Sequence, residues 1–186
     1  PPDPYQFGPI LLPRDFNIWD GGENGFDTIF SSVSYAAPFF VEKLVLVGDA
    51  DINATGSGID DELHGNAGAN ILNGGGGQDQ MVGSGGNDTY IVNDLADTTI
   101  EKTGEGNDTV RANISWTLSE HIENLVLEEY PEQASNSFYS KQKGAISATG
   151  NDLANTMTGN SEDNIIDGGA GTDIMIGRAG NDRYYV

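Results

Sequence analysis

The chain has 186 residues, which is enough for one domain or two small ones. Its 29 acidic residues against 8 basic residues give a formal net charge of −21. This charge disfavours nucleic acid and anionic membrane surfaces as partners, and it favours divalent cations. The chain contains no cysteine, which excludes disulfides and thiolate metal sites, and no apolar run long enough to insert into a membrane.

The first thirty residues predict an arm followed by a weak repeat. Residues 1–15 are rich in proline, which fixes φ and removes backbone donors, so we expect an extended arm or linker. Residues 16–30 carry a degenerate version of the nine-residue repeat that dominates the chain further on, with Gly22, Gly25, Asp27 and Ile29 in phase. We expect Trp19 to pack over the first turn of that repeat.

Two segments rich in β-forming residues are related by duplication. Val41, Leu44 and Leu46 predict a buried strand within residues 31–47. DTIFSSVSY at 27–35 matches DTVRANISW at 108–116, and FVEKLVL at 40–46 matches HIENLVL at 121–127, both at an offset of 81. The sequence therefore predicts a tandem duplication, with units at about 26–92 and 107–186.

Two glycine-rich arrays have a strict period of nine. The first, from Gly56, reads GSGIDDELH, GNAGANILN, GGGGQDQMV and GSGGNDTYI. The second, from Gly150, reads GNDLANTMT, GNSEDNIID, GGAGTDIMI and GRAGNDRYY, at an offset of 94 from the first. In every nonapeptide position 1 is glycine, position 6 is Asp or Asn, and position 8 is apolar or tyrosine.

This period predicts a flattened parallel solenoid. The three residues around position 8 would be extended with that side chain inward, and the other six would form a sharp turn that needs glycine. Two nonapeptides complete one turn, so each loop stacks on the next but one at a strand spacing of ~4.8 Å. The position-6 carboxylates then form two columns that repel one another. A hard divalent cation between loops would be held by carboxylates and carbonyls, the oxygen ligands that calcium prefers.

Residues 93–110 continue the first array. Asp97 follows Asp88 by nine residues, and residues 103–108 form another loop that ends at Asp108, with Val110 inward. We expect Asp97 to stack on Asp79 and Asp108 on Asp88. The predicted organisation is an arm at 1–15, a first strand unit and roll at 16–110, and a second at 111–186.

The insertion at 128–147 leaves two interpretations open. It carries aromatic residues beside lysines, among them Tyr139 and Lys141, which suits either a surface loop or a glycan site. The stretch Asp49–Asn53 begins like an EF-hand loop, but the glycine and the final glutamate are misplaced, so we predict a turn. HExxH, Gly-x-Ser-x-Gly and phosphate-loop motifs are all missing, and we therefore expect no enzymatic activity.

From about Ile18 to its end the chain resembles bacterial RTX proteins. GGGGQDQMV at 74–82 and GGAGTDIMI at 168–176 match their calcium-binding repeat, G-G-x-G-x-D-x-U-x. The resemblance implies an all-β, calcium-stabilised parallel β-roll with several Ca²⁺ ions, belonging to a larger protein that is secreted by a type I system to the exterior or the cell surface. It implies a scaffold or folding module, or alternatively an adhesin-type module that binds polysaccharide or a surface.

The resemblance also implies six calcium sites, each between two stacked loops. One loop lends carbonyls at positions 1 and 3, the other lends carbonyls at positions 2 and 4, and both lend position 6. The first array would supply Gly56, Gly58 and Asp61 with Gly75, Gly77 and Asp79; Gly65, Ala67 and Asn70 with Ser84, Gly86 and Asp88; Gly74, Gly76 and Asp79 with Asn93, Leu95 and Asp97; and Gly83, Gly85 and Asp88 with Gly104, Gly106 and Asp108. The second array would supply Gly150, Asp152 and Asn155 with Gly169, Gly171 and Asp173, and Gly159, Ser161 and Asn164 with Arg178, Gly180 and Asp182. Because asparagine lacks the charge, sites with Asn at position 6 should be weaker or empty.

Overall fold

A computed structural model describes residues 25–129 and 146–186 of the chain. Within them every regular element is a strand. In the two arrays the sequence period explains why, since each of their strands contains the apolar position of a repeat. The strands are β1 (Thr28–Ser31), β2 (Tyr35–Ala36), β3 (Lys43–Leu46), β4 (Ala54–Thr55), β5 (Glu62–His64), β6 (Ile71–Asn73), β7 (Gln80–Val82), β8 (Thr89–Val92), β9 (Thr98–Ile100), β10 (Thr109–Ala112), β11 (Trp116–Thr117), β12 (Asn124–Leu127), β13 (Ile146–Thr149), β14 (Thr156–Thr158), β15 (Asn164–Asp167), β16 (Ile174–Ile176) and β17 (Arg183–Tyr185).

Successive strands alternate between two faces, so two strands make one turn of a solenoid. One face is a single eight-stranded sheet in the order β16-β14-β12-β10-β8-β6-β4-β2. The other face is divided into a five-stranded sheet, β1-β3-β5-β7-β9, and a four-stranded sheet, β11-β13-β15-β17. All the pairs are parallel. The predicted all-β parallel β-roll is confirmed.

The register stacks the position-8 residues of the repeats into one continuous core. Leu63 is the partner of Met81 on one face, and Leu72 is the partner of Tyr90 on the other. All four side chains are fully buried. At the end of the second array this burial is lost, and Tyr184 is 49% exposed because β17 is the outermost strand of its sheet. Each internal turn is therefore stabilised mainly by apolar contact with the turns before and after it.

The two arrays join through β10, which pairs with β8 on one side and β12 on the other. On the opposite face the ladder stops at β9 and starts again at β11. Thr109 pairs with Thr89, twenty residues earlier, whereas strands within the arrays pair at an offset of eighteen. The loop before β10 is thus two residues longer than the six-residue loops of the repeat.

Several expectations concern residues outside the described part. The arm at 1–15, the packing of Trp19, and most of the 128–147 insertion with Tyr139 and Lys141 fall at positions 1–24 or 130–145. Over 25–129 and 146–186, no helix combines the length and apolar character that a bilayer span would need.

Candidate metal sites

The position-6 side chains stack through hydrogen bonds that join each loop to the next but one. Oδ1 of Asp79 accepts from the backbone N–H of Asp61 at 2.9 Å, and Oδ1 of Asp88 accepts from the backbone N–H of Asn70 at 2.7 Å. Oδ1 of Asp108 accepts in the same way from Asp88 at 2.8 Å. The expected stacking of Asp108 on Asp88 is present despite the longer loop.

The other three predicted loop pairs are brought together by the same bond. Oδ1 of Asp97 accepts from Asp79 N–H at 3.1 Å. In the second array, Asp173 accepts from Asn155 at 2.9 Å and Asp182 from Asn164 at 2.9 Å. All six predicted pairs therefore stand in register. Their carbonyl residues lie in the same stacked loops: Gly56, Gly58, Gly65, Ala67, Gly74, Gly75, Gly76, Gly77, Gly83, Ser84, Gly85, Gly86, Asn93, Leu95, Gly104, Gly106, Gly150, Asp152, Gly159, Ser161, Gly169, Gly171, Arg178 and Gly180.

The second oxygen of four of these carboxylates is buried without a protein partner. Among the described residues, Asp61 Oδ1, Asp79 Oδ2, Asp88 Oδ2 and Asp108 Oδ2 are inaccessible and accept no hydrogen bond. None of the four residues is more than 4% exposed. A buried ionised oxygen without a partner is strongly unfavourable. A hard cation between the loops would supply the missing partner, so the residues present fit a calcium ion.

Burial also changes the proton affinity of these groups. It raises the pKa of Asp79 to about 6, with a further contribution from the neighbouring charges of Asp97 and Asp61. It raises the pKa of Asp88 to about 7, to which the charges of Asp108 and Glu105 add. Without a cation, Asp79 and Asp88 therefore hold protons more tightly than ordinary aspartates do.

The loops are of two kinds, which the sequence pattern alone did not distinguish. In the third and fourth loops of each array, positions 2 and 4 have positive φ, as at Gly75 (92°) and Gly77 (114°). Ser84 and Arg178 adopt this conformation without being glycine, with φ of 78° and 68°. A Cβ on Gly77 would also overlap the backbone of Ile59. These turns thus need glycine for both dihedral angle and close approach.

In the first two loops of each array, a side chain at position 2 replaces this glycine geometry. Asn66 Oδ1 accepts from Gly68 N–H at 2.9 Å, and Asn151 Oδ1 accepts from Leu153 N–H at 2.9 Å. Ser57 makes the corresponding, longer bond to Ile59 N–H at 3.4 Å. These loops are held by short side-chain-to-backbone bonds of their own.

Asparagine at position 6 uses its amide nitrogen for the role that a cation would otherwise fill. Asn70 Nδ2 donates to the carbonyl of Ile52 at 2.6 Å and to Asn66 Oδ1 at 2.9 Å. Asn155 Nδ2 reaches the carbonyl of Ile122 at 3.2 Å. Asn164 Nδ2 donates to an asparagine oxygen in its own loop at 3.0 Å. An N–H donor satisfies an oxygen acceptor without charge. Asn70 and Asn155 therefore close onto the preceding turn by hydrogen bonds alone, and Asn164 closes its own loop.

The EF-hand-like stretch named from the sequence has a structural role. In the EF-hand-like stretch, Asp51 Oδ1 accepts from Ala69 N–H at 2.9 Å and Asn53 Oδ1 from Ile71 N–H at 2.8 Å. These bonds join the stretch to the loop stacked on it, as expected for a structural turn. On the strand face of β10, Arg111 Nε is paired with Glu128 at 2.7 Å.

Glu101 is a buried acidic residue that the sequence interpretation missed. Its carboxylate lies beside those of Asp88 and Asp108, with one oxygen atom of each within 4.8 Å of the others. The signal was present in the sequence, because Glu101 follows Gly83 by eighteen residues and therefore occupies position 1 of its loop. The predicted loop at 103–108, whose frame is counted backwards from Asp108, therefore begins two residues too late.

Comparison with known families identifies these loops. Residues 55–90 and 149–184 match the RTX calcium-binding nonapeptide repeat, in four copies. Comparison with curated proteins and with solved structures finds no significant match. The two matched stretches coincide with the two arrays of stacked loops, so both arrays are RTX calcium-binding repeats. The matched family is a calcium-binding repeat rather than a catalytic one, and the chain carries a calcium-binding module.

Proposed function

We propose that this chain is a calcium-triggered folding module of a larger secreted bacterial protein, and that it has no catalytic role of its own. The observation that carries the proposal is the set of buried carboxylate oxygens in the stacked loops that lack a protein partner among the described residues. Such oxygens make the folded state depend on a bound cation. The ion then acts as a part of the fold.

The charge of the chain supports the same conclusion. At −21 over 186 residues, the metal-free chain repels itself, and its 26 glycines add backbone entropy to the unfolded state. Both effects favour an expanded chain inside the cell, where free calcium is scarce, and an expanded chain suits export through a narrow type I channel. Extracellular calcium, in the range where weak modules bind, would then order the repeats.

Ordering should be cooperative, because each turn contacts only its neighbours and gains stability when they are formed. The folded roll would serve as a scaffold or a folding nucleus for the protein segments attached to it. The carboxylate pairs Asp61–Asp79 and Asp88–Asp108 are the proposed principal ion sites. The predicted glycan-binding alternative rests on residues of the 128–147 insertion that lie largely outside the described part, and no described contact favours it.

A calcium titration of the chelator-stripped chain, followed by far-UV circular dichroism, tests the proposal. We expect a sharp coil-to-β transition with calcium and a much weaker response to magnesium, because magnesium prefers a smaller octahedral site and keeps its waters. A full β signal in the presence of chelator at neutral pH, unchanged by calcium, would show that the module is folded beforehand and refute the trigger.

A further inference from the structure

The junction between the two arrays contains a glutamate where the repeat has glycine. Val82 and Ile100 are partners at the ends of β7 and β9, so the residues that follow them, Gly83 and Glu101, stand above one another. The loop that starts at Glu101 has eight residues before β10 instead of six. A carboxylate therefore enters the interior of the turn at a point where the eight nonapeptides carry glycine.

Three carboxylates converge at this point. Asp88, Glu101 and Asp108 each offer an oxygen, and these oxygens lie within 4.8 Å of one another. The residues are 1%, 7% and 1% exposed. Asp88 Oδ2, Glu101 Oε2 and Asp108 Oδ2 all lack a hydrogen-bond partner within residues 25–129 and 146–186. Each is thus a buried polar atom with its bonding capacity unused.

The surroundings orient the glutamate and engage only one of its two oxygens. The hydroxyl of Tyr90, whose side chain is fully buried, donates to Glu101 Oε1 and leaves Oε2 for another partner. A Cβ at Gly83 would overlap Glu101, Tyr90 and Asp88, so only glycine is compatible with the arrangement. The nearby Lys102 is exposed and pairs with Glu105 at 3.2 Å. Among the described ion pairs, none brings a basic side chain to the three carboxylates.

We propose that Asp88, Glu101 and Asp108 form a three-carboxylate site for a calcium-sized hard cation, and that it is the tightest ion site of the described chain. The proposal rests on the proposed function and extends it to one position. The other stacked pairs offer two carboxylates, or one where position 6 is asparagine. Since affinity in oxygen-ligand sites rises with the number of charged ligands, this site should fill first. It lies where β10 joins the two arrays, so its ion would stabilise their junction.

The alternative is that Glu101 remains protonated and acts only as a hydrogen-bonding partner of Tyr90. The variant Glu101→Gln separates the two interpretations, because glutamine keeps the shape and the hydrogen-bonding oxygen but removes the charge. Glu120→Gln is the matched control, since Glu120 is exposed and lies outside the cluster. Glu101→Asp keeps the charge on a shorter side chain. Tyr90→Phe removes only the hydroxyl that orients Glu101.

Isothermal titration calorimetry of the 186-residue chain with calcium provides the test. We expect the wild type to show a class of about one tight site, and Glu101→Gln to weaken that class by at least about tenfold while Glu120→Gln leaves it unchanged. Tyr90→Phe should weaken it by roughly tenfold, as the loss of an orienting partner does, and Glu101→Asp should lie between the wild type and Glu101→Gln.

The outcomes separate this proposal from the broader one. If the wild type binds calcium but Glu101→Gln titrates like the wild type, the three-carboxylate site is refuted and the folding module stands. If the wild type binds no calcium, the proposed function itself fails. If Glu101→Gln does not fold in calcium, the test is the calcium affinity of the tight site in Tyr90→Phe. An affinity equal to that of the wild type would overturn the proposal, and a lower affinity would support it.

Discussion

Lowering the pH should stabilise the metal-free fold, because protons and calcium compete for the same buried oxygens. Burial raises the pKa of Asp79 to about 6 and of Asp88 to about 7, from an ordinary value of 3.8. A group whose pKa is higher in the folded state binds more protons there than in the unfolded state. Its contribution to stability is therefore complete below about pH 4 and is lost as the pH rises through 6 and 7.

The size of the effect follows from these pKa values. A tenfold change in an equilibrium constant corresponds to about 1.4 kcal/mol. Ionising buried Asp79 at pH 8 then costs ~3 kcal/mol of folding free energy, and Asp88 costs ~4 kcal/mol. The sum, ~7 kcal/mol, is comparable with the whole stability of a typical domain. A metal-free chain that is unfolded at pH 8 should thus regain β structure toward pH 5.

Far-UV circular dichroism of stripped, dialysed protein between pH 8 and pH 5 measures this directly, at fixed ionic strength and well above the sequence pI of about 4.1. The calcium-saturated protein should show a flat signal over the same range. Asp79→Asn should stabilise the metal-free form at pH 8 and weaken calcium binding, two effects of opposite sign. Asp49→Asn, at an exposed aspartate outside the stacked carboxylates, is the control. A metal-free signal that does not change between pH 8 and pH 5 would refute the reasoning.

Two further substitutions test packing and turn geometry, with thermal unfolding in saturating calcium as the measurement. Leu72→Ala removes a fully buried side chain and should destabilise the fold by about 2–5 kcal/mol, whereas Ile71→Ala, at a neighbouring site that is 41% exposed, should cost much less; equal losses would contradict the inward position of Leu72. Gly77→Ala forces alanine to a φ of 114° against the backbone of the stacked loop and should destabilise by at least ~1 kcal/mol. Gly76 lies at ordinary φ in the same loop, so Gly76→Ala should be tolerated. Similar melting temperatures for the two variants would contradict the requirement for glycine at position 77.

The sequence period determined most of the fold, for a physical reason. A turn of fixed length between strands of fixed length allows only one register, so the nine-residue spacing placed Leu63 on Met81 and Leu72 on Tyr90 without further information. Because the side chain at position 6 always precedes the strand by the same distance, the pairing of Asp61 with Asp79 followed as well. Periodicity therefore carried both the core and the stacked carboxylates.

What the period could not supply was the effect of a change in loop length. Between β9 and β10 the loop gains two residues, and a frame counted from Asp108 assigns glycine positions to Gly104 and Gly106 while it passes over Glu101. The alternative frame, counted forward from Gly83, reaches Glu101. The frame counted from Asp108 keeps an aspartate at position 6, and the frame counted from Gly83 keeps the nine-residue spacing. Only the strand pairing decides between the two frames.

Amide and carboxylate at position 6 divide the roll into turns that close by their own hydrogen bonds and turns that need an ion. Asn70, Asn155 and Asn164 donate N–H groups to carbonyl or asparagine oxygens, so they satisfy neighbouring acceptors without charge. The buried carboxylate oxygens that lack a partner within the described residues all lie between Asp61 and Asp108. The demand for calcium is therefore concentrated in the first array and at the junction, and the start of the second array depends on asparagine. An amide at position 6 makes its hydrogen bonds whether or not calcium is present. A carboxylate at position 6 makes the stability of its stacked loops depend on a bound cation.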